Sequence, residues 1–481
     1  MLTTISHVIT GAADLCAAFL LMFGLKRMSS PVTARSGIRA AGVGMLVAVL
    51  ASFLNVLNVN AAARPHLIVN IVLAAAALIV GAGASWWKGR TVKLTAMPQM
   101  VALYNGMGGA AAGAIAAVEL VGRKAEGATL IVALIGGLIG AVSLSGSLIA
   151  WAKLDEILKK PLRFKGQRVI NAIVFVVTIA IAGYMVFAIQ DDAALLLSIP
   201  ASIAIFFGGG LFFGIVITLP IGGADMPVVI SIYNALTGLA VALDGFVLQN
   251  PALMIAGMVV GAAGMFLTFI MAKAMNRSIS NIIFSNFGAI RELSQGAIEG
   301  SLKSVEASDA GIFMRYAKSV IIVPGYGLAV AQAQQKLYEF VKLLQAAGVN
   351  VRFAIHPVAG RMPGQMDVLL AEAGVPYDLI CQLADINPDC ATTDVALVIG
   401  ANDVVNPAAR DDKTSPIYGM PILNVDEAKK VYVVKRGQGK GYSGIVNTLF
   451  YGDNCNMIYG DAQAVLVKMI EAVRGLGAAS A

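Results

Sequence analysis

Nine long apolar stretches fill the first 275 residues and constrain the fold more than any other feature of the chain. A helix needs roughly 20 apolar residues to cross about 30 Å of hydrocarbon. Helices also satisfy every backbone polar group internally, as a segment in lipid must. We therefore predict nine transmembrane helices, at residues 7–25, 38–57, 66–87, 98–121, 128–151, 169–190, 194–219, 226–248 and 252–274.

The composition changes sharply near residue 276. Over the whole chain 58% of residues are hydrophobic and 13% are charged, whereas a soluble domain usually has about a quarter charged residues. We expect an α-helical polytopic membrane domain at 1–275, a linker at 276–312 and a separate α/β domain at 313–481. The chain has no positively charged region before its first apolar stretch, so we expect this stretch to be a retained helix, not a cleaved signal peptide.

The distribution of basic residues predicts the orientation. Lys and Arg cluster in the loops after the first, third and fifth apolar stretches, and such loops lie on the cytoplasmic side. The N-terminus is then outside, and nine crossings place the C-terminal domain in the cytoplasm. These loops also account for most of the +7 net charge, so we expect no nucleic-acid partner. Four cysteines without close spacing and three histidines predict no metal site.

The C-terminal domain alternates short apolar segments with amphipathic ones. Predicted strands lie at 319–324, 349–357, 377–383, 394–400, 420–425 and 430–436. The segment "AQAQQKLYEFVKLLQAAG", which follows the first strand, is typical of an amphipathic helix. This alternation predicts a doubly wound, Rossmann-like parallel sheet.

A glycine turn follows the first predicted strand, where a dinucleotide fold binds the pyrophosphate. The turn, "GYGLAV" at 325–330, has the G-x-G pattern, but Val330 stands where the fingerprint has Gly or Ala. A tight strand-to-helix turn without a ligand is the alternative, because glycine also serves such turns.

The end of the second predicted strand favours NADP over NAD. An NAD site usually has an acidic residue there for the ribose 2′-hydroxyl, but this strand ends in His356-Pro357. Arg361 and the pair Lys435-Arg436 could bind a 2′-phosphate, for which cations are suited. A solvated strand end is the alternative for that pair.

The fourth predicted strand is followed by "GANDVVNPAA" at 400–409. Loops at the carboxyl ends of strands form the ligand crevice of such folds. Asn402 and Asp403 therefore either cap a helix or supply polar groups to a binding site.

In combination these motifs resemble the β subunit of proton-translocating NAD(P) transhydrogenase over nearly the whole chain. The resemblance rests on "PGYGLAVAQAQ", "RFAIHPVAGRMPGQM", "VIGANDVVNPAA", "KRGQGKGYSG", "IGGADMPVVIS" and "KAMNRS". It implies a re/si-specific oxidoreductase of the bacterial inner membrane that is active together with its α subunit. NADP(H) would bind here and NAD(H) on a separate α subunit, with proton translocation coupled to hydride transfer. A dimer of αβ units, embedded in membrane lipid, is also implied.

The resemblance also implies roles for individual residues. Asp403 would be the acid whose protonation reports the proton step to the nucleotide. The residues that would contact NADP(H) are Gly325, Tyr326, Gly327, Ala329, Val330, Val358, Ala359, Gly360, Arg361, Met362, Pro363, Gly400, Ala401, Asn402, Asp403, Val404, Lys435, Arg436, Gly441, Tyr442, Gly452, Asp453 and Asn454.

Four polar residues in or beside the apolar stretches are candidates for a proton pathway: Asn105, Ser147, Asp225 and Asn234. Interhelical hydrogen bonding is the alternative for each amide or hydroxyl. Some related proteins carry a histidine at the position of Asn105, and an amide cannot titrate. We therefore expect the proton carrier elsewhere, either on a partner helix or in water.

Two other functions stay open at the level of sequence. One is a transporter or channel gated by a cytosolic NADP-sensing domain, and the other is a membrane-anchored NADP-binding subunit without conduction. The nine stretches show neither an inverted repeat nor a selectivity motif, which argues against the transporter.

Overall fold

The computed structural model divides into two compact units, residues 1–221 with 229–267 and residues 222–228 with 268–481. The structure describes residues 2–58, 66–122, 126–158, 162, 164–190, 198–222, 225–276, 278–279, 282, 301–362, 364–415, 417–437, 441 and 443–478.

Within these described residues, nine helices are long and apolar enough to cross a membrane. They confirm the nine predicted spans. Their bounds are α1 Leu2–Met28, α2 Pro31–Asn58, α3 Leu67–Thr91, α4 Met97–Val121, α5 Gly127–Leu154, α6 Gln167–Gln190, α7 Ile199–Thr218, α8 Met226–Val247 and α9 Pro251–Ala274. Local sequence explains where α9 begins: Pro251 occupies its first position, where a missing N–H costs nothing, and the Asn250 side chain accepts a hydrogen bond from the Leu253 N–H.

Glycines allow neighbouring helices to approach closely. A β-carbon on Gly140 of α5 would lie 2.7 Å from the carbonyl oxygen of Gly109 on α4. A β-carbon on Gly257 of α9 would lie 2.7 Å from the carbonyl oxygen of Gly238 on α8. Small residues at helix contacts are typical of membrane bundles, where packing drives association.

The sequence places Lys153 in the basic loop after the fifth apolar stretch, but in the structure it belongs to a helix. It lies in the last turn of α5, is buried, and donates hydrogen bonds to the carbonyl oxygens of Thr218, Leu219 and Ile221. These carbonyls lie at and just beyond the end of α7, which carries partial negative charge. The ammonium group therefore caps α7, in addition to any part in orienting the chain.

The second unit contains a six-stranded parallel sheet in the order β3-β2-β1-β4-β5-β6. The strands are β1 Ser319–Pro324, β2 Asn350–Ile355, β3 Ile380–Gln382, β4 Val395–Ile399, β5 Lys430–Lys435 and β6 Cys455–Tyr459. The central strands β1 and β4 are almost wholly buried, as expected for continuous β-branched runs in a parallel sheet covered on both faces. The doubly wound, Rossmann-like prediction is confirmed.

Helices accompany these strands. They are α10 Ala307–Arg315, α11 Tyr326–Val330, α12 Gln334–Ala346, α13 Gln365–Glu372, α14 Leu383–Ile386, α15 Ala408–Asp411 and α16 Ala462–Ala478.

One predicted strand is wrong, and one strand was missed. Residues 420–425 form a buried loop, in which the Leu423 N–H donates to the carbonyl oxygen of Val404 and no sheet ladder forms. The sixth strand is instead Cys455–Tyr459, at the edge of the sheet. Apolar character alone does not separate a buried loop from a strand.

The linker prediction partly coincides with ordered structure. Residues 283–300 lie outside the described residues, but α10 runs across the predicted boundary at 313. It packs on α16 so closely that a β-carbon on Gly311 would lie 3.1 Å from the Cα of Met469. Small residues form much of this buried face.

Candidate functional site

The loops that follow β1 and β4 meet at the carboxyl edge of the sheet, where the winding reverses direction. The Gly325 N–H donates to the carbonyl oxygen of Ile399 at 2.9 Å, and the Gly327 N–H donates to that of Gly400 at 3.0 Å. Gly400 has a φ of +77°, and its β-carbon would lie 2.7 Å from the carbonyl carbon of Gly327. The glycines therefore serve this close approach of two loops, in the crevice where such folds bind ligands.

The residues that follow the two glycines of the turn differ in their burial. Ala329 is buried, whereas Val330 is 40% exposed, so Val330 offers an apolar surface beside the turn. The Arg361 guanidinium carbon lies 4.5 Å from the centroid of the Tyr326 ring. This cation–π contact joins the loop after β1 to the loop after β2.

Two buried side chains shape the loop after β2. His356 Nε2–H donates to the carbonyl oxygen of Pro421 at 2.7 Å, while Nδ1 accepts from the Val358 N–H at 3.1 Å. Burial lowers the pKa of His356 to about 4, so the imidazole is neutral, which fits one donor and one acceptor nitrogen. Gln365 Oε1 accepts from the Arg361 N–H at 2.7 Å.

The segment 358–363, which is predicted to contact NADP(H), is therefore fixed at Val358 and at Arg361. Its described members are Val358, Ala359, Gly360, Arg361 and Met362, and Pro363 lies outside the described residues.

Asp403 connects the loop after β4 to the segment after β5. Its Oδ2 accepts from the Ser443 N–H at 2.9 Å, and its Oδ1 accepts from the Ser443 hydroxyl at 2.7 Å. Gly441 packs against the same loop, since its β-carbon would lie 2.8 Å from Asn402 Nδ2. Tyr442, between them, lies outside the described residues. The carboxylate thus accepts hydrogen bonds from the segment after β5 and does not cap a helix with its side chain.

Two buried asparagines strengthen this connection, and sequence reasoning missed both. Asn406 is fully buried; its Nδ2 donates to the carbonyl oxygen of Val446, and its Oδ1 accepts from the backbone N–H groups of Ala408 and Thr448. Asn447 Nδ2 donates to the carbonyl oxygen of Asn402 at 2.9 Å. An asparagine before proline or before a short helix is common in loops, so neither residue stood out.

Lys435 ends β5 beside a small cavity of about 100 Å³, which Asn402 and Asn447 also line. Its Nζ lies 4.6 Å from the centroid of the Phe450 ring. Burial lowers the pKa of Lys435, and the negative charge of Asp403 opposes this shift. The cavity has room for one anionic group and not for a whole dinucleotide. Arg436, the next residue, is exposed.

The structure does not bring Gly452, Asp453 and Asn454 to these residues. They precede β6 and so lie at the amino edge of the sheet, where Asp453 forms an ion pair with Lys303 at 2.9 Å. One strand length, roughly 15 Å, separates them from the end of β5. Their role as contacts of NADP(H) stays a prediction, and their position at the amino edge does not favour it, because β6 carries the chain from one edge to the other.

Gly460 and Asp461 occupy the carboxyl edge after β6 instead. The Gly460 N–H donates to the carbonyl oxygen of Lys435 at 3.0 Å. Asp461 Oδ1 accepts from the Gln463 N–H at the start of α16. Recognising β6 in the sequence would have revealed this pair.

Polar groups connect α4, α5 and α8 within the first unit. Asn105 Nδ2 donates to the carbonyl oxygen of Ile230 at 3.3 Å, and Thr237 Oγ1 donates to the carbonyl oxygen of Asn105 at 3.3 Å. The hydroxyl groups of Thr237 and Ser143 lie 2.5 Å apart. These contacts place Asn105 in an interhelical hydrogen-bond network.

The other predicted pathway residues lie near or in these helices. Ser147 is buried on α5, and its Oγ has no hydrogen-bond partner within the part of the chain that the structure describes. Asn234 is half-buried on α8. Asp225 is buried immediately before α8 begins.

Fold and site together define a class: a multi-pass helical membrane protein with a dinucleotide-type α/β unit. A family model described as NAD(P) transhydrogenase beta subunit matches residues 10–472. The NAD(P) transhydrogenase subunit beta of Rhodospirillum rubrum is 42% identical over 481 residues, covering 97% of this chain and 100% of the relative. The same protein from one named strain of that species matches equally. The chain therefore belongs to the NAD(P) transhydrogenase beta subunit family.

Membership in this family implies use of nicotinamide nucleotides and an alpha subunit as partner.

Proposed function

We propose that this chain binds NADP(H) at the carboxyl edge of the sheet and couples hydride exchange with NAD(H) to proton translocation. The observation that carries the proposal is the position of Lys435. This cation ends β5 and shares a cavity with Asn402, at the edge where the loops after β1 and β4 meet. The loop after β2 holds no acidic residue for a ribose 2′-hydroxyl.

The chemistry of the residues fits a phosphorylated dinucleotide. Lys435 supplies a compact positive charge and Arg436 a forked set of donors for the 2′-phosphate. Asn402 and Asn447 supply amide groups beside the same cavity. The two nicotinamides supply the hydride chemistry when bound, so the protein needs only to bind and orient them.

Asp403 gives the site a means of responding to a proton. Its two carboxylate oxygens accept both hydrogen bonds from Ser443. A proton added to Oδ2 would replace the acceptor of the Ser443 N–H by an O–H group and weaken that hydrogen bond, because a backbone N–H can only donate. The segment after β5 would then loosen from the loop after β4, and the binding of NADP(H) would change with it.

The proposal also includes an α subunit as partner and an orientation of the chain in the membrane. The NAD(H) fold comes from an α subunit, because the described sheet accounts for one nucleotide fold. The enzyme is then a re/si-specific transhydrogenase, assembled as a dimer of αβ units in the bacterial inner membrane. Basic loops favour an external N-terminus and a cytoplasmic C-terminal unit.

Nucleotide binding to the purified full-length chain tests this function. NADPH fluorescence should be enhanced on binding, and NADH should not compete at equal concentration. Lys435→Ala should weaken NADPH binding, whereas Lys429→Ala, a cation at the amino edge of the sheet, should not. Tight binding without redox exchange in the presence of the α subunit would favour the gated transporter, and equal binding of NADH would refute the proposed specificity.

A further inference from the structure

A buried aspartate near the end of α8 was absent from the candidates suggested by sequence. Asp244 is 1% exposed. Its carboxyl group faces α5, where a β-carbon on Gly136 would lie 3.4 Å from Asp244 Oδ1. Neither carboxylate oxygen has a hydrogen-bond partner among the residues that the structure describes.

No charged group on the surrounding helices compensates Asp244 within the described residues. The helices near it carry Glu119 on α4, Lys153 on α5 and Lys273 on α9. None of the ion pairs in the described structure involves Asp244. Lys153 lies 17 residues beyond Gly136 (153 − 136 = 17), about 25 Å along the helix.

A carboxylate without a donor or a counter-ion is costly in an apolar helix bundle. The protonated carboxyl group is neutral and avoids much of this cost. Asp244 is therefore suited to hold a proton inside the first unit. Among the four predicted pathway residues, Asn105, Ser147 and Asn234 have no titratable group, so they cannot do this.

Asp244 lies on the same face of α8 as Thr237, which belongs to the polar network of α4, α5 and α8. Thr237 precedes it by seven residues (244 − 237 = 7), which is two helical turns and about 10 Å on the same face of α8. The Thr237 hydroxyl contacts Ser143 and the carbonyl oxygen of Asn105. This spacing exceeds a hydrogen bond, so a proton would pass between the two groups through water.

We propose that Asp244 is the proton-binding carboxyl group of the membrane helices in this chain. A proton from water adds to one carboxylate oxygen and later leaves the same oxygen toward the opposite side of the membrane. No bond other than this O–H bond forms or breaks. The inference rests on the proposed function, because only a translocating protein would load and unload this group.

The test uses the αβ complex in sealed vesicles. Hydride exchange is followed by reduction of an NAD analogue with NADPH, and proton movement by a pH-sensitive dye. The variants are Asp244→Asn, which keeps the shape but cannot titrate, Asp244→Glu, which keeps the carboxyl group, and Asp14→Asn. The last is a matched control, because Asp14 is also a buried aspartate, on α1.

We expect Asp244→Asn to lower proton movement at least tenfold, Asp244→Glu to retain a large part of it, and Asp14→Asn to leave it unchanged. Infrared difference spectra between the NADP⁺-bound and NADPH-bound complex give a second readout. The wild type and Asp14→Asn should show the same set of carbonyl bands from protonated carboxyl groups, and Asp244→Asn should lack one band of that set.

The outcomes separate the inference from the function on which it rests. A wild-type complex that exchanges hydride without moving protons refutes the proposed function itself. A wild-type complex that pumps, together with an Asp244→Asn variant that pumps at the same rate or keeps every carbonyl band of the wild type, refutes only the role of Asp244.

Discussion

Replacing Gly400 by alanine should disrupt nucleotide binding through the contact between the loops after β1 and β4. Gly400 has a φ of +77°, which costs an L-residue about 1–2 kcal/mol. The new β-carbon would also lie 2.7 Å from the carbonyl carbon of Gly327. Backbone must move to relieve this contact, and such overpacking costs about 1–3 kcal/mol.

Gly348→Ala is the matched control. Gly348 has a φ of +84°, but its β-carbon would meet nothing within 4 Å. This variant pays the conformational cost alone, about 1–2 kcal/mol. The difference between the two variants, about 1–3 kcal/mol, isolates the close approach of the loops.

NADPH fluorescence titration of the purified full-length protein, with thermal unfolding of each variant in parallel, measures both effects. If the loops separate, Gly400→Ala should weaken NADPH binding by roughly five- to a hundredfold, at about 1.4 kcal/mol per factor of ten. Gly348→Ala should bind NADPH as the wild type does. Equal affinity and equal stability in the two variants would refute the reasoning.

Three further predictions concern the same unit. Lys435→Ala should weaken NADP(H) binding at least tenfold, and Arg436→Ala should weaken it less, since Arg436 is exposed. Paired titrations with NADPH and with its analogue lacking the 2′-phosphate measure these losses of affinity. Equal losses for both ligands would contradict the prediction. Asp403→Asn replaces a charged acceptor of two hydrogen bonds from Ser443 by a neutral amide, which should weaken these contacts by roughly 1 kcal/mol. The variant cannot take up a proton and should turn over more slowly without unfolding; wild-type rates would show that Asp403 has only a structural role. Stability should fall as the pH drops from about 6.5 to about 4, because burial lowers the pKa of His356 to about 4 and the unfolded chain binds a proton first. This loss is about 3 kcal/mol, and thermal unfolding across that range should show a flatter pH dependence in His356→Gln than in the wild type.

The long and periodic features of the chain could be predicted from its sequence. Nine apolar stretches require helices whatever their partners, because lipid offers no alternative for the backbone. The alternation of strands and helices likewise predicts the doubly wound sheet. Short segments were predicted less well. The strand β6 was missed because it is short and contains the polar residue Asn456. Residues 420–425 were predicted as a strand because they are apolar, but they form a loop.

The site was harder to predict, because its members depend on which edge of the sheet each loop reaches. Without β6, the sequence does not show that Gly452 to Asn454 precede a strand and that Gly460 and Asp461 follow it, at the carboxyl edge. Asp244 was missed although it lies within the predicted span 226–248, where an ionisable residue is a functional candidate by default. Its burial follows from the packing of α8 on α5 across Gly136, and a sequence does not show which face of an apolar helix meets a neighbour.

The coupling of proton movement to the nucleotide equilibrium is the central claim, and one measurement tests it most directly. The αβ complex in sealed vesicles is brought to equilibrium with both nucleotide couples, with and without a membrane potential of known sign. One charge crossing about 150 mV gives roughly 3–4 kcal/mol. The account predicts a shift of the NADPH/NADP⁺ ratio, relative to NADH/NAD⁺, by a few hundredfold. An identical ratio in energised and de-energised vesicles would contradict it.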